Sequence, residues 1–214
     1  MKKYPNLNTF LLIILLVFIS LGLIFIADKF ILTVNFYDRN DQPVSGIPGL
    51  EAVVYQNVQK VIYLYSSIYL VAKVLLIATI LFTGLYFFDV KTSFANMLRI
   101  VVQAEFIFLI PAFVKIWWFY YYNDQPTLEG WQKFYFLSAA SLTDYVRPAF
   151  LYPLQTFNPF ELAYWFLLAA GINSAAGIGF DRSLRVVLCS YVPSLLIWIM
   201  MVMFFTMLYF PQSY

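Results

Sequence analysis

Residues 10–27 read FLLIILLVFISLGLIFIA, a run of 18 positions without a charged side chain, and this run decides what kind of protein the chain makes. At a rise of about 1.5 Å per residue it spans about 27 Å as a helix, close to the ~30 Å hydrocarbon core of a bilayer. A backbone in lipid has to satisfy its own hydrogen bonds, and a single segment does so only as a helix. Lys2 and Lys3 precede the run and Asp28-Lys29 closes it. A basic start ahead of an apolar stretch is also the plan of a signal peptide. Phe25, however, occupies the small-residue position before Ala27 that cleavage requires, so an uncleaved anchor is expected.

The rest of the chain has the same character. Hydrophobic residues make up 63% of the 214 positions and charged residues 11%, and the mean hydropathy is +0.78. A soluble domain of this size has too little interior to hide so much apolar surface. The expected environment is therefore a lipid bilayer. A helical pattern runs from about Leu50 to Phe88, longer than a bilayer requires. Its turn-rich front half, with Gln56, Gln59 and Lys60, is expected to project above the membrane and residues 70–88 to lie in it. A third span covers about 97–120, kinked by Pro111 and closed by the aromatic belt of Trp117, Trp118 and Tyr120–Tyr122. Between Asn123 and Asn158 the pattern fits an interfacial helix over Trp131–Val146, followed by an irregular aromatic return through Pro148 and Pro153.

Asn158-Pro159-Phe160-Glu161 is a helix start, with Asn at N-cap, Pro at N1 and Glu at N3. It opens a short fourth span, 161–178, whose Ala170, Gly171, Ser174 and Ala175 suit close helix–helix packing. Gly177 and Gly179 end it, Asp181 is expected to cap the next helix, and a fifth span runs over about 184–210 with Pro193 inside. The reading is an all-α membrane protein: a single integral membrane domain over 1–214, with spans at about 10–27, 70–88, 97–120, 161–178 and 184–210 and one interfacial helix in the third connection. No internal repeat is visible.

Charge orients it. One side carries Lys2, Lys3, Lys91, Arg99, Arg182 and Arg185 against Asp89 and Asp181, in short loops. The other side has longer, net acidic loops, with Lys29, Arg39, Lys60, Lys133 and Arg147 against Asp28, Asp38, Asp41, Glu51, Asp124, Glu129, Asp144 and Glu161. Positive loops stay inside, so the N-terminus is expected in the cytoplasm and the C-terminus outside, in the periplasm of a bacterial inner membrane.

Composition also excludes chemistry. The chain has no histidine, which removes imidazole-ligated haem, zinc and copper, Ser-His or Cys-His nucleophiles, and histidine relays. Cys189 is the single cysteine, so neither an internal disulfide nor a thiolate cluster can form within one chain. No enzymatic activity, cofactor or metal is expected, and a net charge of +2 with scattered basic residues does not fit nucleic acid.

Three charged residues fall inside apolar runs: Lys73, Glu105 and Lys115. Lys73, near Tyr65 and Tyr69, and Lys115, beside Trp117 and Trp118, are expected to snorkel to the outer interface on their long stems. Glu105 is too short to escape. It lies six residues past Arg99, about 9 Å into the core, so it has to be protonated, paired or facing a wet cavity. Gln103 and Asn173 are its expected polar neighbours.

The segments Asn158-Pro-Phe-Glu-Leu through Gly171, Gly179-Phe-Asp-Arg-Ser-Leu-Arg and Tyr191-Val-Pro193 resemble the C-terminal half of the YIP family. These are five-span membrane proteins named for interaction with Ypt/Rab GTPases, with bacterial relatives. The resemblance covers about the last 60 residues and implies a non-enzymatic scaffold or adaptor. The long cytosolic N-terminal segment of the eukaryotic members has no counterpart here, so GTPase binding is not carried over. The expected function is a non-catalytic accessory subunit packing against other membrane proteins, in an oligomeric state that sequence leaves open. The alternative is a small transporter or channel component with Glu105 in a polar pathway.

Overall fold

The computed structural model describes residues 8–40, 50–122, 127–143 and 147–209, and every regular element among them is helical. In chain order these are α1 (Thr9–Phe30), α2 (Val34–Arg39), α3 (Glu51–Phe87), α4 (Phe94–Glu105), α5 (Leu109–Tyr121), α6 (Leu128–Lys133), α7 (Pro148–Thr156), α8 (Pro159–Ala176) and α9 (Phe180–Tyr209). Short 3-10 turns occupy Phe106–Phe108 and Ala139–Leu142. Lys2, Lys3, Asp41, Asp124 and Asp144, which entered the charge count, lie outside the described residues.

Four stretches are long and apolar enough to cross a membrane: Thr9–Phe30, Val53–Phe87, Phe94–Tyr121 and Phe180–Tyr209. The sequence expectation added a fifth, which corresponds to α8. That helix is 18 residues long but is diluted by Glu161 and Asn173, and it is not among the four. The segment expected to form one interfacial helix over Trp131–Val146 is instead broken: α6 stops at Lys133, residues 134–138 are non-helical, and Leu137 takes a positive φ of 56°. The return expected to be irregular is the helix α7, with Pro148 in its first turn, where a missing N–H costs nothing.

The long helices run alternately up and down. Tyr63 of α3 donates to Asp28 at the end of α1 (2.8 Å). Lys73 of α3 meets Glu105 of α4 while Phe82 meets Phe94, so these two helices are antiparallel. Ile100 of α4 packs on Gly171 of α8, and Arg182 at the start of α9 donates to the carbonyl of Phe88 just past α3 (2.9 Å). The core lies where α3, α4, α8 and α9 converge, on Leu81, Val101, Val102, Leu168, Ile172 and Val187, and α1 flanks it through Leu16. Hydroxyls of Ser20, Ser67, Thr79, Ser190 and Thr206 donate to carbonyls four residues back, which satisfies them within their own helices.

Helix ends follow the local signals with one exception. Asn158 Oδ1 accepts from the Glu161 N–H (2.8 Å), and Gly177 closes α8 in the left-handed conformation at φ 65°. Asp181 is not a cap: α9 begins at Phe180, so Asp181 sits in its first turn, where a carboxylate still favours the helix dipole. Pro111 lies in the first turn of α5. It cannot donate to the carbonyl of Ile107, and the helix tightens to a 3-10 turn at Phe106–Phe108.

Candidate functional site: a polar cluster between the long helices

That 3-10 turn positions the site. Glu105 is the last residue of α4, and in a 3-10 turn side chains three apart eclipse, so Glu105 and Phe108 share one side. Lys73 of α3 meets both. Its Nζ is 2.9 Å from Glu105 Oε2 and 4.4 Å from the centre of the Phe108 ring. Glu105 is 2% exposed and Lys73 29%. The expectation that Lys73 snorkels outward is thus corrected: it turns into the bundle, because an unpaired carboxylate there costs more than the lysine's desolvation.

The neighbours expected for Glu105 are elsewhere. Gln103 is exposed on the outside of α4, two residues and so about 200° around the helix from Glu105. Asn173 is spent on the α8–α9 turn, where its Oδ1 accepts from the Gly179 N–H (3.0 Å). The group that does lie beside Glu105 is Tyr164 of α8, fully buried, its ring 5.1 Å from Phe108 and 5.5 Å from Tyr191. Among the described residues neither the Tyr164 hydroxyl nor Glu105 Oε1 has a hydrogen-bond partner.

A second carboxylate completes the cluster. Glu161, 8% exposed, accepts at Oε1 from Trp165 Nε1 (2.9 Å) and from the Tyr191 hydroxyl (2.8 Å). Its N–H is used by the Asn158 cap, but its side chain does not return to the cap as a capping box would have it. Nearby, Trp198 Nε1 donates to the Tyr152 hydroxyl (2.8 Å), tying α9 to α7.

Two cavities flank the ion pair. One of about 500 Å³ is bounded by α3, α7 and α9 and receives Lys73, Glu161, Tyr152 and Tyr191. The other, about 340 Å³, lies towards α1 and α5 and receives Lys73, Glu105, Lys115 and Trp131. Tyr69, Lys73 and Phe108 line both and so form the partition between them. Lys115 sits over the Trp131 ring at 4.4 Å, an aromatic partner supplied by α6 rather than by its own helix.

The packing face expected on α8 is also revised. The buried positions are Glu161, Tyr164, Leu168, Ala169 and Ile172, spaced at helical period. Of the small residues, Gly171 packs: a Cβ there would lie 2.5 Å from Ile100 Cγ2. Ala170, Ser174 and Ala175 are exposed.

Two members of the cluster, Lys73 and Glu161, were missed as site residues. The two residues belong to helices that run in opposite directions, so their depths compare only from a common end. Counted from the ends that adjoin, Phe87 and Phe94, they lie about 21 and about 17 Å deep, similar enough to have predicted the pair. Glu161 had a sufficient local explanation as an N3 residue, which hid its second role. Comparison with protein families, with curated proteins and with solved structures finds no match.

Proposed function

We propose that the chain is a non-catalytic accessory or scaffold subunit of the bacterial inner membrane, with five spans, a cytoplasmic N-terminus and a periplasmic C-terminus. The carrying observation is the closure of Glu105: this carboxylate is 2% exposed and is paired through Oε2 with Lys73 inside the chain. A carboxylate paired in this way ties α3 to α4 and holds its charge on a partner within the chain. The fifth span is α8, whose 18 residues at about 1.5 Å each reach about 27 Å, and which lies antiparallel to α4 in the bundle. The α6–α7 region, with its aromatic rings, covers the periplasmic end as the interfacial layer. The resemblance of the C-terminal third to the YIP family points the same way. A scaffold also needs a surface for its partners, and the exposed Gln103, Ala170 and Ser174 supply polar and small residues suited to contact with another membrane helix.

In-cell crosslinking through cysteines placed at Ala170 and Ser174, followed by mass spectrometry, tests the reading. A defined adduct to another membrane chain, or to a second copy, is expected. Uniform absence of adducts at both positions would overturn it. A transporter is the second reading, favoured by the 500 Å³ cavity with Glu161 on its wall. It predicts solute or ion flux in proteoliposomes that Glu105→Gln abolishes with expression unchanged.

A further inference from the structure

Glu161 Oε1 takes two hydrogen bonds, from Trp165 and Tyr191, while no described residue donates to Oε2. Glu161 is 8% exposed as a residue, and it lines the 500 Å³ cavity together with Lys73. One wall thus presents a carboxylate oxygen still able to accept, and also an ammonium group still able to donate, since Lys73 has three N–H donors and Glu105 uses one. The remaining lining is mainly apolar. Leu76, Ile197 and Met201 are 56%, 55% and 47% exposed, so the cavity opens on the outer surface of helices built to lie in lipid. The size is that of a small-ligand site.

We propose that this cavity holds the headgroup of a phospholipid carrying a primary ammonium group, with the ammonium on Glu161, the phosphate on Lys73 and the acyl chains along Leu76 and Ile80. The charge pattern selects the class. A purely anionic headgroup would face the Glu161 carboxylate without a compensating cation. A trimethylammonium headgroup has no N–H to give Oε2. A water-soluble zwitterion would leave the apolar mouth unfilled. The inference needs only a membrane-embedded bundle, and it stands or falls separately from the scaffold reading.

The test uses the full-length protein, delipidated in mild detergent and titrated by native mass spectrometry with short-chain phosphatidylethanolamine, phosphatidylglycerol and phosphatidylcholine. Phosphatidylethanolamine is expected to bind about tenfold more tightly than the other two, the worth of one charge-assisted hydrogen bond. Glu161→Gln keeps an oxygen for Trp165 and Tyr191 but loses the charge, and should reduce phosphatidylethanolamine to the level of phosphatidylcholine. Ala72→Phe, at an exposed lining position that bears none of the polar contacts, should fill the cavity and weaken all three. Equal binding of the three lipids, a preference for phosphatidylglycerol, or unchanged binding by Ala72→Phe would overturn the proposal. So would soluble phosphoethanolamine competing as well as the lipid, which would remove the role of the acyl chains. If Glu161→Gln fails to fold, the lipid ranking of the native protein and the Ala72→Phe result still decide.

Discussion

Lys73 and Glu105 are unequal partners, and their exposures set what each substitution costs. Lys73→Met leaves Glu105, 2% exposed, as a buried charge without a counter-ion. Losing one partner of a buried pair costs about 3–5 kcal/mol; part-exposure of Lys73 places the expected loss near the lower bound. Glu105→Gln is milder, about 1 kcal/mol, because Lys73 is already 29% exposed and can swing towards the interface. Replacing both, as Lys73→Met with Glu105→Leu, should recover most of the loss. Unfolding in mixed detergent micelles measures all four species, and strict additivity would show that the pair is not coupled. Tyr164 makes an opposite prediction. Its hydroxyl is buried with no hydrogen-bond partner among the described residues, so Tyr164→Phe should not destabilise and should gain up to about 1 kcal/mol. A loss of more than that would mean the hydroxyl has a partner in the membrane, most simply Glu105 Oε1.

Helices in this bundle meet through two glycines, and both predict steric cost. At Gly171 a Cβ would stand 2.5 Å from Ile100 Cγ2, and at Gly84 2.6 Å from Ser190 Cβ. Neither neighbour is the end of a flexible chain, so Gly171→Ala and Gly84→Ala should each cost about 1–3 kcal/mol by overpacking. Adding Ile100→Ala to Gly171→Ala should restore part of that stability, although each substitution alone destabilises; no restoration would place the strain elsewhere. The N-terminus of α8 is held by one side chain, and Asn158→Ala should cost about 1 kcal/mol through loss of the bond to the Glu161 N–H. Capping, the glycine stop and the proline distortion were legible because each depends on neighbours within about five residues. The Trp131–Val146 helix was misread because apolar composition there reflects packing of Phe134 and Trp131 against Phe119 rather than a helical stripe.

For the molecule as a whole, the alternation of helix directions places residues 88–93 and 177–179 at one end and the α6–α7 region at the other. With basic residues concentrated at the first end, reporter fusions at Asp89 and Asp181 should give cytoplasmic activity, and a fusion at Asp124 external activity. An external Asp181 would reverse the proposed orientation.

By itself the sequence determined that the chain holds segments apolar and long enough to cross a membrane, that they are helical, and where most of them begin and end. Those properties follow from hydropathy summed over about 20 residues and from cap chemistry a few residues wide. It also singled out Glu105, since one carboxylate within an apolar run is visible without any fold. Only the tertiary structure decided what answers it. Lys73 lies 32 positions away from Glu105, and Tyr191 lies 30 away from Glu161. Whether such residues meet depends on the rotation and depth of whole helices, and in α3 and α8 outward and inward faces are both apolar, so no amphipathic stripe records that rotation. The polar groups could be read from the chain, but their pairing was set by the packing of helices around Tyr164 and Gly171.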